Sequence, residues 1–281
     1  KSASRLGMPS ESVAPLDKVA SVSTSSANKL AMSTMTSASS MAITRSPPRL
    51  STRRLANPIT VPGVPSSAAI GELSGDALLD LAVTNEVGNT VTIFAGFGDG
   101  TFAVLARGGG VLPTGDAPVF VGIGDLDNGK DFDLYTANKG GGSTTVFTNF
   151  GFTRGAGFGA QEISVGDGAV FVGIGDLDND KDLDLATADR AGDSVTPVKQ
   201  GPAGNYASDP AIDSGDAPVY AAIVDVNNDG ETDVVTVLSR DGSARRGALV
   251  VRLGGANEDI EGQRQFDAPP EPTHIVLADI D

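Results

Sequence analysis

The chemistry-bearing residues of this chain are carboxylates gathered into short acidic loops. The loops run Glu72–Asp80 (ELSGDALLD), Asp125–Asp133 (DLDNGKDFD), Asp176–Asp184 (DLDNDKDLD), Asp225–Asp233 (DVNNDGETD) and a beginning at Asp279–Asp281 (DID). Numbered 1 to 9, each complete loop places oxygen-bearing side chains at positions 1, 3 and 9, and position 5 carries one in every loop but the second. Position 7 can add its backbone carbonyl. Ca2+ takes six to eight hard oxygen ligands, and a tight loop with alternating inward positions supplies about that number. Carboxylates repel one another too strongly to converge in this way without a cation between them. An EF-hand would need Glu at position 12 on an exiting helix. Position 12 is Val83, Thr136, Thr187 and Thr236, inside β-forming runs, so that reading fails.

The copies differ in ligand quality. The third offers Asp176, Asp178, Asp180 and Asp184, with Asp182 at position 7, and is expected to be the best site. The fourth offers Asp225, Asn227, Asp229 and Asp233, with Glu231 at position 7 and Gly230 easing the turn. In the second, Gly129 fills position 5, leaving Asp125, Asp127 and Asp133, with Asp131 or water to complete the set. The first, with Glu72, Ser74, Asp76 and Asp80, reads better as an ordinary turn. Asp and Asn are common turn formers, which is the plain alternative for any one loop. Repetition in register between strands favours metal for the third and fourth.

The loops recur at a constant interval, and that interval identifies the elements that position them. Their first residues are 53, 51, 49 and 54 positions apart. The ten residues VFVGIGDLDN occur at Val119–Asn128 and again at Val170–Asn179. A period near 50 marks a repeat architecture. Apolar runs precede the loops at Ala68–Ile70, Val119–Ile123, Val170–Ile174 and Val219–Ile223. Others follow at Leu81–Val83, Leu134–Thr136, Leu185–Thr187 and Val234–Val237, and a third set lies at Val91–Phe94, Thr144–Phe147, Ser194–Val198 and Leu249–Val251. Pro197 predicts an edge or a bulge in its strand. The segment Phe97–Phe102 (FGDGTF) predicts a hairpin into a fourth strand. Four short antiparallel strands per repeat is the count for one propeller blade, and no helix-length amphipathic segment occurs. The small residues of Gly122-Ile-Gly124 and Gly173-Ile-Gly175 suit crowded innermost strands.

The fold class expected is therefore all-β: a β-propeller of four-stranded antiparallel blades, about four in number, forming an incomplete ring over 59–281. The blades fall near 66–115, 116–166, 167–215 and 216–266, with a further start at 267–281. Residues 1–60 differ sharply, holding 14 serines, one of the 36 glycines and a net charge of +6. We expect 1–58 to be a disordered segment, its Arg45, Arg49, Arg53 and Arg54 solvated. From 61 onward the net charge is −22, which argues against nucleic acid as a partner. No cysteine is present, so disulfides and thiolate metal sites are excluded. No apolar run reaches the length of a membrane helix, so no membrane insertion is expected. Residues 1–30 lack a signal-peptide core, and the chain stops inside its fifth loop, so a fragment of a longer protein is expected.

These loops resemble the FG-GAP or VCBS-type repeats of integrin alpha-subunit propellers and many secreted bacterial proteins. The likeness rests on Asp176–Leu185 (DLDNDKDLDL) and Asp225–Val234 (DVNNDGETDV), matching Asp-x-Asp-x-Asp-Gly-x-x-Asp-Leu. Gly115–Val119, Gly215–Val219 and Gly96–Phe102 add to it, and it covers about 60–281. The chain departs from that pattern at Gly129, at Lys130 and Lys181 in the usual glycine position, and in its first loop. The resemblance implies bound Ca2+, a secreted or cell-surface location and an extracellular protein or carbohydrate ligand. On that basis the expectation is a non-catalytic adhesion or ligand-recognition module and not an enzyme. The alternative is the propeller part of a secreted carbohydrate-active enzyme, a polysaccharide lyase or hydrolase. A positioned acid and base would then be required. The carboxylates most worth suspecting are already assigned to metal. The residues singled out beside them are the lone His274, read as an ordinary strand residue, and the pair Arg245-Arg246, which could hold an anionic sugar.

Overall fold

The computed structural model describes residues 59–106, 109–151, 157–239, 247–254 and 262–276. The segment 1–58 with its arginines, Arg245-Arg246 and the fifth loop at Asp279 and Asp281 lie outside the described residues. The first sheet contains β1 (Pro65–Gly71), β2 (Asp80–Asn85), β3 (Thr90–Gly96), β4 (Phe102–Val104) and β5 (Val111–Pro113). The second contains β6 (Pro118–Gly124), β7 (Asp133–Asn138), β8 (Ser143–Asn149) and β9 (Phe158–Ser164). The third contains β10 (Ala169–Gly175), β11 (Asp184–Asp189), β12 (Ser194–Gln200), β13 (Tyr206–Ser208) and β14 (Ile212–Asp213). The fourth contains β15 (Pro218–Val224), β16 (Asp233–Leu238), β17 (Gly247–Leu253) and β18 (Gly262–Ala268). All pairs are antiparallel meanders, and each sheet is one blade of an incomplete β-propeller. The expected all-β fold holds. Two blades have five strands because their outer strand is split in two.

The core lies between blades. One cluster joins Leu73 of the first loop and Val91 and Ile93 of the first sheet to Val121, Leu134 and Phe147 of the second. The next joins Tyr135 and Val146 to Val172, Leu185 and Val198, and a third joins Phe171 and Val195 to Ile223 and Val234. Strands β7, β11 and β16 are consequently buried along their whole length, and β16 (DVVTVL) reads as a continuous β-favouring run. The glycines of the first strands make room for the neighbouring blade. A Cβ on Gly124 would lie 2.9 Å from Ile174 Cδ1, and one on Gly175 would lie 2.7 Å from Ile223. Ile70, the equivalent in β1, is 58% exposed, since no described blade precedes it.

Pro197 neither ends its strand nor bulges it. β12 runs unbroken, with Pro197 opposite Ala186 of β11. What breaks is the outer strand beside it: β13 pairs with Val198–Gln200 and β14 with Ser194–Val195. The bulges sit in the first strand of every blade, between Pro65 and Ala68, Pro118 and Phe120, Ala169 and Phe171, and Pro218 and Tyr220. No helix among the described residues is long and apolar enough to cross a membrane.

Candidate metal centre

Each acidic loop joins the first strand of a blade to the second, and its last carboxylate fastens it there. Asp133, at position 9, is fully buried and accepts from the amides of Leu126 at 2.6 Å and Asn149 at 2.7 Å. Asp184 accepts from Leu177 and Gln200, both at 2.8 Å. Asp80 does the same with Leu73 and Gly96, and Asp233 with Val226 and Gly254. Position 9 is thus a staple in all four complete loops, tying the loop's second residue to the end of the third strand. Burial pushes the Asp133 and Asp184 carboxyls up to about 6, against the lowering effect of those amides. Asp233 is shifted upward for the same reason.

Two loops converge further. Among the described residues, Asp125, Asp127 and Asp133 bring carboxylate oxygens within 4.8 Å of one another, and so do Asp176, Asp178 and Asp184. In both, the position 1 residue has one oxygen engaged: Asp125 Oδ2 accepts from the Lys130 amide at 3.2 Å, and Asp176 Oδ2 from the Lys181 amide at 3.1 Å. The other oxygens, Asp125 Oδ1 and Asp176 Oδ1, are buried without a hydrogen-bond donor. A buried, undonated carboxylate oxygen is costly unless a cation meets it. The donor set is all oxygen, so these residues fit a hard divalent ion.

The remaining candidates are placed differently. Asp131, Asp180 and Asp182 stand outside the two converging triads. Asp180 Oδ1 accepts from the Asp182 amide at 2.8 Å. The fourth loop turns its oxygens onto itself. Asp225 accepts from the amides of Asn228 and Gly230, Asn227 bonds Asp229 at both its ends, and Asp229 accepts from the Glu231 amide. In the first loop Glu72 accepts from the amides of Gly75 and Asp76, a turn closed by its own side chain. Lys130 and Lys181 adopt φ of 76° and 80°, the left-handed region where Gly230 sits at 88° without a side-chain penalty.

Sequence reasoning missed three features of the site. Asn128 Nδ2 donates to Asp182 Oδ1 of the next blade at 3.2 Å, and Asn179 Nδ2 to Glu231 Oε2 at 2.9 Å. The position 4 amide of one loop therefore reaches the position 7 acid of the next. The 50-residue period is the only signal that could have paired them. The third feature is Lys199 of β12, whose Nζ lies 3.7 Å from Asp178 Oδ2.

No known protein-family profile matches the chain, and no curated protein matches it in sequence. Solved structures match it in fold. The periplasmic gluconolactonase of Pseudomonas aeruginosa aligns with a TM-score of 0.54 at 14% identity, over 75% of this chain and 56% of that one. The shared feature is the fold alone. A protein from Lactobacillus plantarum aligns with a TM-score of 0.51 at 15% identity, over 75% of this chain and 60% of that one. The chain spans less than two thirds of either structure. The first match corrects two expectations, that this chain is a non-catalytic adhesion or ligand-recognition module and that it is not an enzyme. Both were drawn from the likeness of the loops to FG-GAP and VCBS repeats, and the propeller architecture that carries those loops is shared with a protein named as a gluconolactonase. Fold does not dictate function, so propeller form is no argument against catalysis. The FG-GAP or VCBS likeness rests on the loop sequences alone.

Proposed function

We propose that this chain is a Ca2+-binding β-propeller segment of an exported protein, its cations held in the loops of the second and third blades. The observation that carries the reading is the pair of buried, undonated oxygens, Asp125 Oδ1 and Asp176 Oδ1, each beside two further carboxylates. Asp125, Asp127 and Asp133 would hold one ion, and Asp176, Asp178 and Asp184 the other. Ca2+ is preferred to Mg2+ because a flexible loop with backbone carbonyls suits six to eight ligands better than a strict octahedron. The likeness of the loops to FG-GAP and VCBS repeats supports the same ion, and millimolar Ca2+ outside cells would keep such sites filled.

An ion bound to the folded chain and not to the unfolded one adds RT ln(1 + [Ca]/Kd). For a Kd near 10⁻⁴ M at ~2 mM Ca2+ this is about 1.8 kcal/mol for each site. For a domain of this size two such sites correspond to a Tm shift of about 10 °C. Thermal unfolding in 2 mM CaCl2 and in excess EGTA tests the reading, with Asp125→Asn and Asp176→Asn each removing about half of the difference. Equal melting temperatures in the two conditions would overturn it.

A second reading takes the activity named for the Pseudomonas aeruginosa structure, hydrolysis of a gluconolactone. What supports it is the shared propeller architecture alone. Proton release from D-glucono-δ-lactone, followed with and without the chain at a pH where spontaneous opening is slow, decides it. A rate equal to the uncatalysed one would remove it.

A further inference from the structure

We propose that Lys199 is a tethered counter-ion that competes with the divalent cation for the third loop and passes to Asp209 when the cation binds. The proposal rests on the cation reading above and names what sets the affinity of that site. Lys199 Nζ lies 3.7 Å from Asp178 Oδ2 and 3.8 Å from Asp209 Oδ2. Asp178 belongs to the converging triad of the third loop, whereas Asp209 lies outside that triad, just beyond β13. The side chains of Lys199 and Asp178 are 23% and 15% exposed, so solvent screens their attraction only in part, while Asp209 is 48% exposed.

The arrangement belongs to one blade. Strand register places Ala95, Thr148 and Leu253 where β12 has Lys199. The third loop, which has five aspartates where the second has four, is thus the one with an ammonium already against it. A cation entering the triad brings two positive charges beside Asp178, and their repulsion disfavours the Lys199 contact. The ammonium then keeps a partner at little cost, because Asp209 is already within ion-pair distance and its amide is fixed to Pro197 O at 2.9 Å. Only side-chain torsions of Lys199 need change, and no strand moves. Removing Lys199 and removing Asp209 therefore act in opposite directions on the same site. The first abolishes the competitor, and the second removes the carboxylate that draws the ammonium away from Asp178.

The test is calorimetric titration of CaCl2 into the EGTA-stripped full chain, with Asp176→Asn used to assign which heat belongs to the third loop. Lys199→Met keeps the aliphatic stem and is expected to tighten that site about tenfold, leaving the second loop unchanged. Asp209→Asn is expected to weaken it about threefold, and Lys199→Arg to keep the parental affinity. A purely structural Lys199 would lower Tm equally in EGTA and in CaCl2. The competition instead widens the gap between those two melts in Lys199→Met. Unchanged or weakened affinity in Lys199→Met overturns the proposal, as does a shift of both variants in the same direction. Binding heat in the parent with no response to either variant sinks this inference alone, whereas absence of heat in every protein sinks the cation reading with it.

Discussion

Asp189 shows how a single atom type changes the behaviour of a buried polar site. It ends β11, is fully buried, and accepts from the Thr196 hydroxyl at 2.6 Å and the Thr187 hydroxyl at 2.7 Å. The same register position holds Asn85 in β2 and Asn138 in β7. Asn138 keeps an equivalent network while staying neutral, accepting from Thr136 and donating to Ser143 and Thr145. Asp189 has no such neutrality, and burial pushes its carboxyl up to about 6, above the 3.8 of an ordinary aspartate. The folded chain therefore binds this proton more tightly than the unfolded chain. The resulting stability is full below pH about 4 and is lost as pH rises through 6. Asp189→Asn should remove that dependence. Urea unfolding in EGTA should find the variant more stable than the parent by up to about 3 kcal/mol at pH 7.5, with the difference closing by pH 4. A variant less stable than the parent at pH 7.5 would show that the carboxylate is better accommodated than its burial implies.

At the scale of the element, the loop is two devices sharing one sequence pattern. Position 9 joins backbone amides, while positions 1 and 3 present oxygens to the loop's interior. The two parts separate experimentally because Asp80 staples the first loop, which forms no converging triad, and Asp184 staples the third, which does. Truncation leaves two amides without an acceptor in either case. Asp80→Ala and Asp184→Ala should each cost about 2–5 kcal/mol in EGTA. Only Asp184→Ala should also reduce the gain from CaCl2, and chemical denaturation in both conditions checks this. If the two variants lose the same fraction of the calcium gain, position 9 of the third loop is a staple and nothing else. The strands were legible in the sequence because runs such as Val234–Val237 are buried between blades on both faces and spell continuous β-favouring residues. The sequence showed which loop positions alternate inward, but it favoured the third and fourth loops, whereas the converging triads lie in the second and third. That the fourth loop closes its oxygens on itself depends on turn geometry that the residue letters do not carry. The staple was not, because an aspartate accepting two amides and an aspartate holding an ion are the same letter. Nor was Lys199, which meets Asp178 only once β12 is laid against its own blade.

On the scale of the molecule, buried acid and net charge act in the same direction. The chain carries a formal charge of −16, and the blades hold Asp133, Asp184 and Asp189 as buried carboxyls each pushed up to about 6. Without cations, each of these groups stabilises the folded chain below pH about 4 and ceases to do so as pH rises past 6, where self-repulsion also grows. On the cation reading proposed above, Ca2+ would reverse the balance at Asp133 and Asp184, since the ion requires the ionised form that burial disfavours. Protons and Ca2+ would then compete for the same two loops. The rise in Tm on adding 2 mM CaCl2 should be near its full ~10 °C at pH 7.5 and shrink to a small fraction of that at pH 4.5. Scanning calorimetry at both pH values, with and without the ion, measures the difference. An equal rise at pH 4.5 and pH 7.5 would mean that the ion binds groups already ionised at both, and that the buried carboxylates of the second and third blades take no part in holding it.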